Sequence, residues 1–449
     1  MNDGRTPVMD ALVEFVLDLE PASLPPAVVE AAGRSVTDWL GTAIRGAAEP
    51  LAGALATVIQ ATGGEPQATV LGRGLRTSAL LASLANGAQS HALDFDDTHL
   101  PSIVHGSAAV MPAVLALGEW RHLPGAQALA AFVAGFEVET RLGRVMGRPL
   151  ADRGWHVTGV LGHLGAAAAA GKLLGLDARQ LAQALGIAAT QAAGLEQSFG
   201  TMSKPLHPGK AAMDGLLSAL LAREGFTGSA AVLDGAGGLG ATFLGLTDVS
   251  AAVENLGKRF EILDNSTKPY AACHLTHATI DAARAVRSRV ALAAEAVAAV
   301  DCRVHPLVLK VAANPAPRSG LEAKFSVAFC AAIGLLRGEA GEAEFSDEGL
   351  RDPAVARVME RVVPSADPTL GVGGARLRVR LVDGRVLEEG VSAARGMPEN
   401  PLTREELEAK FGRLASVVLP DERVTRLLAM LRGLADLRDV AELARLAAG

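Results

Sequence analysis

Residues 91–119, HALDFDDTHLPSIVHGSAAVMPAVLALGE, place Asp94, Asp96 and Asp97 within four positions and bracket them with His91, His99 and His105. Such a stretch could be a metal site, an acid/base site or a solvated turn. Asp96 and Asp97 fit a solvated turn as readily as a functional role. Asp94 and His105 carry more weight, because His105 directly precedes Gly106-Ser107 and an expected helix start, where backbone N–H groups and the helix dipole favour an anion. An imidazole there could meet a bound carboxylate and move a proton, although a buried, hydrogen-bonded histidine is the plainer alternative. Carboxylates with imidazole suit Mn, Fe or Zn. The spacing nevertheless matches no H-E-x-x-H type pattern and puts no ligand set on one helical face, so no metal is expected.

Three further groups could join this chemistry. In SFGTMSKPLHPGKAAMDG, residues 198–215, Lys204, His207 and Lys210 stand just before an apolar helix. Phe199, Met202 and Leu206 surround Lys204 in sequence, which makes it a candidate anion clamp rather than a solvated lysine. In NSTKPYAACHLTHATIDAA, residues 265–283, Lys268, Cys273, His274 and His277 accompany Tyr270, the only tyrosine of the chain. His156, in DRGWHVTG, precedes a glycine- and alanine-rich helix and could be catalytic, a cap or a core residue. A rival class rests on Gly235, Gly237 and Gly240, which satisfy G-x-G-x-x-G; the match is weak, because no βαβ series surrounds it and the required helix is broken early.

These groups must be positioned by a chain of 449 residues, 49% hydrophobic, which is long enough to bury a large core and, by length, to form two or three domains. Only 4% of residues are aromatic, while alanine and glycine abound, so closely packed helices are favoured over an all-β fold. Periodicity predicts helices over 10–19, 27–45, 51–61, 78–91, 108–119, 126–145, 158–174, 178–188 and 211–224. After about residue 265 come a β-leaning segment at 302–312, a helix at 322–336, and GARLRVRLVDGRVLEEGV, where Leu377, Val379 and Leu381 alternate with arginines before a two-residue Asp383-Gly384 turn. Thr403 and Glu406 then form a capping-box pattern that opens a helical tail. The expected organisation is a mostly α protein: a helical domain of 1–264 plus 401–449, interrupted by an α+β domain of 265–400.

Composition also excludes partners. A net charge of −7 offers no electrostatic footprint for nucleic acid or an anionic membrane. MNDGRTPVMD lacks a leader pattern and no apolar run is long enough to span a bilayer, so a cytoplasmic protein is expected. Cys273, Cys302 and Cys330, the three cysteines, form no CxxC pair and suggest neither a disulfide framework nor an iron–sulfur cluster.

Five ordered blocks, HALDFDDTH with its following histidine, GTMSKPLHPGKAA, KPYAACHLTHATIDAA, EAKFSVAF and NPLTREELEAKF, resemble the MmgE/PrpD family of 2-methylcitrate dehydratases, cis-aconitate decarboxylases and iminodisuccinate epimerases. The resemblance implies a helical domain built from both chain ends, an inserted α+β lid, a cleft site and a homodimer. It places active-site groups at Asp94, Thr98, His105, His156, Lys204 and Lys268, with a histidine or another polar residue around Cys273 and His274; Tyr270, in the same boundary stretch, is a further candidate for substrate binding. Two departures stand out: Phe329 occupies a position where the dehydratase and decarboxylase branches carry tyrosine, and the lid-block histidine falls at His274, one place displaced. The implied activity is a cofactor-independent, metal-independent lyase on a small di- or tricarboxylate, dehydrating a citrate-like acid or decarboxylating an aconitate-like one. Lys204 and Lys268 would hold carboxylates, His105, Asp94 and His156 would share acid and base roles, and Thr98 would orient the substrate. A dicarboxylate epimerase is the alternative chemistry, and a non-catalytic binding protein the alternative class.

Overall fold

The structure, a computed structural model, describes residues 6–449; residues 1–5 of the stretch in which no leader is read lie outside the described residues. The fold is mostly α, with two small sheets among the described residues. The chain divides into two compact units, one holding the residues up to Ala92, Asp96–Ser266 and Thr403–Gly449, the other Leu93–Phe95 and Thr267–Leu402. Among the described residues no helix is long and apolar enough to cross a membrane.

In the first unit, small residues let helices approach closely. The Ala79–His91 and Ser203–Arg223 helices meet at Gly87 and Gly209, where a methyl on Gly87 would stand 2.6 Å from the Gly209 Cα. The Gly125–Asp152 and Val157–Leu173 helices meet likewise at Gly135 and Gly165. Axes this near leave no room for large side chains, which is the physical reason that Ala166 through Ala170 fill a fully buried stretch.

Two helices outrun their sequence patterns. The helix expected at 211–224 begins at Ser203, so Lys204 and His207 lie in its opening turns rather than on a loop. Pro205 is tolerated there because the first four N–H groups of a helix have no intrahelical partner. The helix expected at 126–145 continues to Asp152, through Pro149. Thr403 and Glu406 do form a capping box, with Glu406 N donating to Thr403 Oγ1 at 3.2 Å and Thr403 N to Glu406 Oε2 at 2.8 Å. The Arg404–Ala415 helix it opens packs on the Pro26–Gly46 helix, where Lys410 reaches Asp38 at 2.6 Å. Gly235, Gly237 and Gly240 follow no strand and lead only to the six-residue helix Leu239–Leu244, so no βαβ unit supports a dinucleotide site.

The first unit also carries a short ribbon of β1 (Ala68–Val70) and β2 (Leu75–Thr77). In the second unit β3 (Val297–Val304), β4 (Val362–Ala366), β5 (Ala375–Leu381) and β6 (Val386–Val391) form a sheet in the order β4-β3-β5-β6, parallel only between β3 and β4. β5 alternates as its sequence predicts, burying Leu377, Val379 and Leu381 and exposing Arg376, Arg378 and Arg380. Its turn differs from the expected two-residue one: Gly384, at φ 89°, donates N–H to Leu381 O at 3.0 Å in a three-residue loop closed by Leu381 and Arg385. The β-leaning segment at 302–312 splits. β3 ends at Val304, and Pro306 at N1, with His305 Nδ1 accepting from Leu307 N at 3.1 Å, starts a Pro306–Ala312 helix. The helix expected at 322–336 is likewise two pieces, Gly320–Ala323 and Val327–Leu336, the second capped by Ser326.

Candidate active site

In the first unit the Ala79–His91 helix ends on His91, and a loop leads to His105, the residue that directly precedes the Gly106–Arg121 helix. Ile103 in that loop adopts φ 60°, a conformation costly for a β-branched residue and held here by the surrounding fold. Asp96, expected as readily in a solvated turn, is fully buried: its Oδ2 lies 2.8 Å from His91 Nδ1 and 3.1 Å from His105 Nδ1. Burial pulls the His91 pKa to about 4, outweighing the opposing pull of Asp96. Burial alone would raise Asp96, yet His91 and His105 outweigh it and hold the carboxyl well below the usual range. The consistent state is a carboxylate accepting from imidazole Nδ1–H donors, which leaves the Nε2 atoms of those rings as bare bases.

The imidazoles continue as a row. His91 and His105 meet edge-on with centroids 4.5 Å apart, His91 stacks on His156 at 5.6 Å, and His156 Nδ1 lies 3.0 Å from His207 Nδ1. Burial first, then the neighbouring His91 ring and the charge of Lys204, hold the His156 pKa well below its ordinary value. Lys204 is buried, its Nζ 5.0 Å from the centre of the Phe199 ring, and Phe199 in turn meets His156 edge-on at 5.1 Å. Thr98 Oγ1 lies 3.4 Å from His105 Nδ1, and Thr158 Oγ1 accepts from His105 N at 3.0 Å.

Behind this row Asp97 is also buried, accepting from Ser107 and, at 2.7 Å, from Asn265 Nδ2. Burial and the neighbouring Asp38 push its pKa to about 7 against those donors. The folded protein thus keeps a proton that the unfolded chain loses above about pH 4, so this group's stability contribution is complete below pH 4 and is lost as pH rises through 7. In the difference between Asp97→Asn and the parent chain, the titrations of groups not coupled to Asp97 cancel. Unfolding free energies measured in denaturant should move in the variant's favour by up to about 4 kcal/mol between pH 4 and pH 8, and parallel curves would refute the assignment.

In the second unit Lys268 and Asp94 pair with each other. Lys268 Nζ donates to Asp94 Oδ1 at 2.6 Å and to its carbonyl at 2.9 Å, both residues being buried, with Asp94 at φ 52°. Lys324 adds bonds to Leu93 O at 2.5 Å and Ala271 O at 2.8 Å, so two lysines hold residues 93–95 in this unit. His274 stacks on His277 at 4.7 Å. Tyr270, expected at a substrate, donates its hydroxyl to Asp281 and accepts from Arg284 at 2.6 Å. Phe329 is fully buried.

Among the described residues, side chains with the donor types of a metal site include His91, Asp96 and His105, and also His99, Glu261 and Asp264. In the first the nitrogen–oxygen separations are hydrogen-bond lengths. In the second Arg144 lies 2.9 Å from Glu261 and Arg259 pairs with Asp264, so guanidinium groups already balance the acids.

The MmgE/PrpD N-terminal domain model matches residues 10–252, and the C-terminal domain model residues 270–436. The chain belongs to the MmgE/PrpD family. Relatives include cis-aconitate decarboxylases of Homo sapiens, 30% identical with 98% of this chain and 95% of the relative covered, and of Mus musculus, 29% identical with 98% and 93% covered. That of Aspergillus terreus is 28% identical, with 99% and 96% covered.

Of the candidate site positions, the structure brings Thr98, His105, His156 and Lys204 together in the first unit, and Asp94, Lys268, His274 and Tyr270 belong to the second. Sequence reasoning undervalued Asp96 and His91 and named no role for His207. The available signal was the five-residue step from a helix-terminal histidine to Asp96, which spans one helix C-terminus.

Proposed function

We propose that this chain is a carboxy-lyase that removes CO2 from an unsaturated tricarboxylate of the cis-aconitate type by acid/base and electrostatic catalysis. The observation that carries the reading is the buried Asp96 carboxylate holding His91 and His105 by their Nδ1 atoms, in a row of imidazoles facing the charge of Lys204. The names of the relatives favour decarboxylation over the dehydration and epimerisation that the sequence left open.

Breaking the carbon–carbon bond releases CO2 and leaves an electron pair spread toward the remaining carboxylates; a proton then closes the new C–H bond. Fixed cations and donors must meet that developing charge. Lys204 takes one carboxylate. His105 and His156 exchange the proton, and Thr98 orients His105 or substrate. Within the second unit Asp94 is the partner that positions Lys268. Tyr270 supports the second unit through Asp281 and Arg284 rather than touching substrate. A homodimer remains the expected assembly.

A panel of cis-aconitate, citrate, 2-methylcitrate and iminodisuccinate, followed by proton NMR in H2O and D2O with and without chelator, tests this. Expected is itaconate from cis-aconitate, undiminished by chelator. A new vinyl proton from a hydroxy acid reassigns the chain to dehydration, deuterium uptake without net change to epimerisation, and loss on chelation overturns the metal-free chemistry. No turnover across the panel overturns the proposal.

A further inference from the structure

We infer that His207 is a positioning residue that sets the tautomer of His156 and passes protons to it from solvent. The inference rests on the acid/base reading of His156 above. Decarboxylating a carboxylate consumes one proton per turnover, and that proton must come from water. His156 is buried, whereas His207, one turn beyond Lys204 on the Ser203–Arg223 helix, is partly exposed.

Geometry fixes the relation between the rings. Their Nδ1 atoms lie 3.0 Å apart. Burial lowers the pKa of both, and the Lys204 charge acts on both, so both are neutral at working pH. Two neutral imidazoles joined Nδ1 to Nδ1 share one hydrogen: the donor ring is the Nδ1–H tautomer and the acceptor ring the Nε2–H tautomer. The contact is built rather than incidental. His156 N donates to Gly194 O at 3.0 Å, Gly194 at φ 131° leaves its side-chain space to the His207 ring, and a methyl on Gly159 would come within 3.0 Å of the His207 Cβ. The other titratable or charged groups acting on His156 are His91, Lys204 and His105.

The transfer balances. With His207 as donor, His156 carries Nε2–H and can act as an acid. As that proton leaves for substrate carbon, the shared proton moves to His156 Nδ1 and a water proton enters at His207 Nε2, leaving both rings neutral. The pair resets after product leaves: a water proton reaches His156 Nε2, the shared proton returns to His207 Nδ1, and His207 releases its Nε2 proton to water, so that both rings are again neutral and one proton in all is consumed per turnover.

Two variants and one spectrum test it. In two-bond 1H–15N spectra of histidine-labelled protein, the two rings should show opposite tautomers, and His207→Phe should turn His156 into a tautomer mixture. Identical tautomers, or an unmoved His156, overturn the inference without reference to any substrate. In turnover of whichever panel acid is accepted, His207→Phe should lower kcat about 10- to 100-fold with KM little changed, raise the solvent deuterium isotope effect, and recover with added imidazole. His207→Asn keeps an N–H donor for His156 Nδ1 but cannot relay, so it should retain one His156 tautomer and still be slow. Unchanged kcat, or a loss without isotope effect or rescue, overturns the relay. If no acid is turned over, the functional reading fails while the spectra still decide the tautomer lock.

Discussion

Replacing His105 by alanine lowers turnover of the tricarboxylate by roughly two to four orders of magnitude, the range expected when a positioned acid or base is removed. The fold should survive, because the ring is partly open to solvent and its backbone N keeps Thr158 as a partner. Asp96→Asn should cost a comparable factor by a different route. Its amide can hold the rings in place but no longer compels hydrogen onto Nδ1, so His105 Nε2 is not reliably bare; losses on the order of 10^3 to 10^4 are reasonable for a wrong tautomer. Steady-state kinetics with far-ultraviolet circular dichroism on the purified variants reads both. A His105→Ala chain that keeps activity within a few-fold of the parent removes the acid/base reading, and one that binds cis-aconitate with unchanged affinity but never turns it over, as the parent also would, marks a binding protein.

Replacing Lys410 by alanine destabilises the first unit by about 3–5 kcal/mol, the usual cost of stranding one member of a buried ion pair. The pair is almost wholly enclosed, with side-chain exposures of 4% for Lys410 and 0% for Asp38. Asp38 already raises the pKa of Asp97, so losing its cation would extend the fault toward the loop that carries Asp96. The double change Lys410→Met with Asp38→Leu removes both charges and should recover most of the loss, since apolar replacement of a buried pair is often neutral. Denaturant unfolding of the parent, Lys410→Met, Asp38→Leu and the double variant measures this as a double-mutant cycle, with Lys410→Ala beside it. A single-variant loss below about 1 kcal/mol, or a double variant no better than the single, overturns the account.

Much of the local structure is legible because its causes are local. The capping box at Thr403 depends on residues three apart, and the alternation of β5 depends on a two-residue repeat facing one buried side. Where reading failed, a distant or unrecognised partner decided. The Ser203 helix start was hidden by Pro205 and Pro208, which break a pattern without breaking the helix. The 302–312 segment changes type at His305-Pro306, where a side-chain cap competes with continued strand.

By itself the sequence determined the helical class, through its small-residue content and helical spacing, and the family, through five ordered blocks. It also marked which stretches hold titratable groups. Only the tertiary structure decided what those groups do to one another. Lys268 meets Asp94 across 174 positions, Lys410 meets Asp38 across 372, and His156 meets His207 across 51. Protonation states follow from such meetings, because burial and a neighbour's charge shift a pKa only through distance in space. Spacing along the chain sets periodicity and caps; it cannot say which carboxylate will lie against which imidazole once the chain has folded.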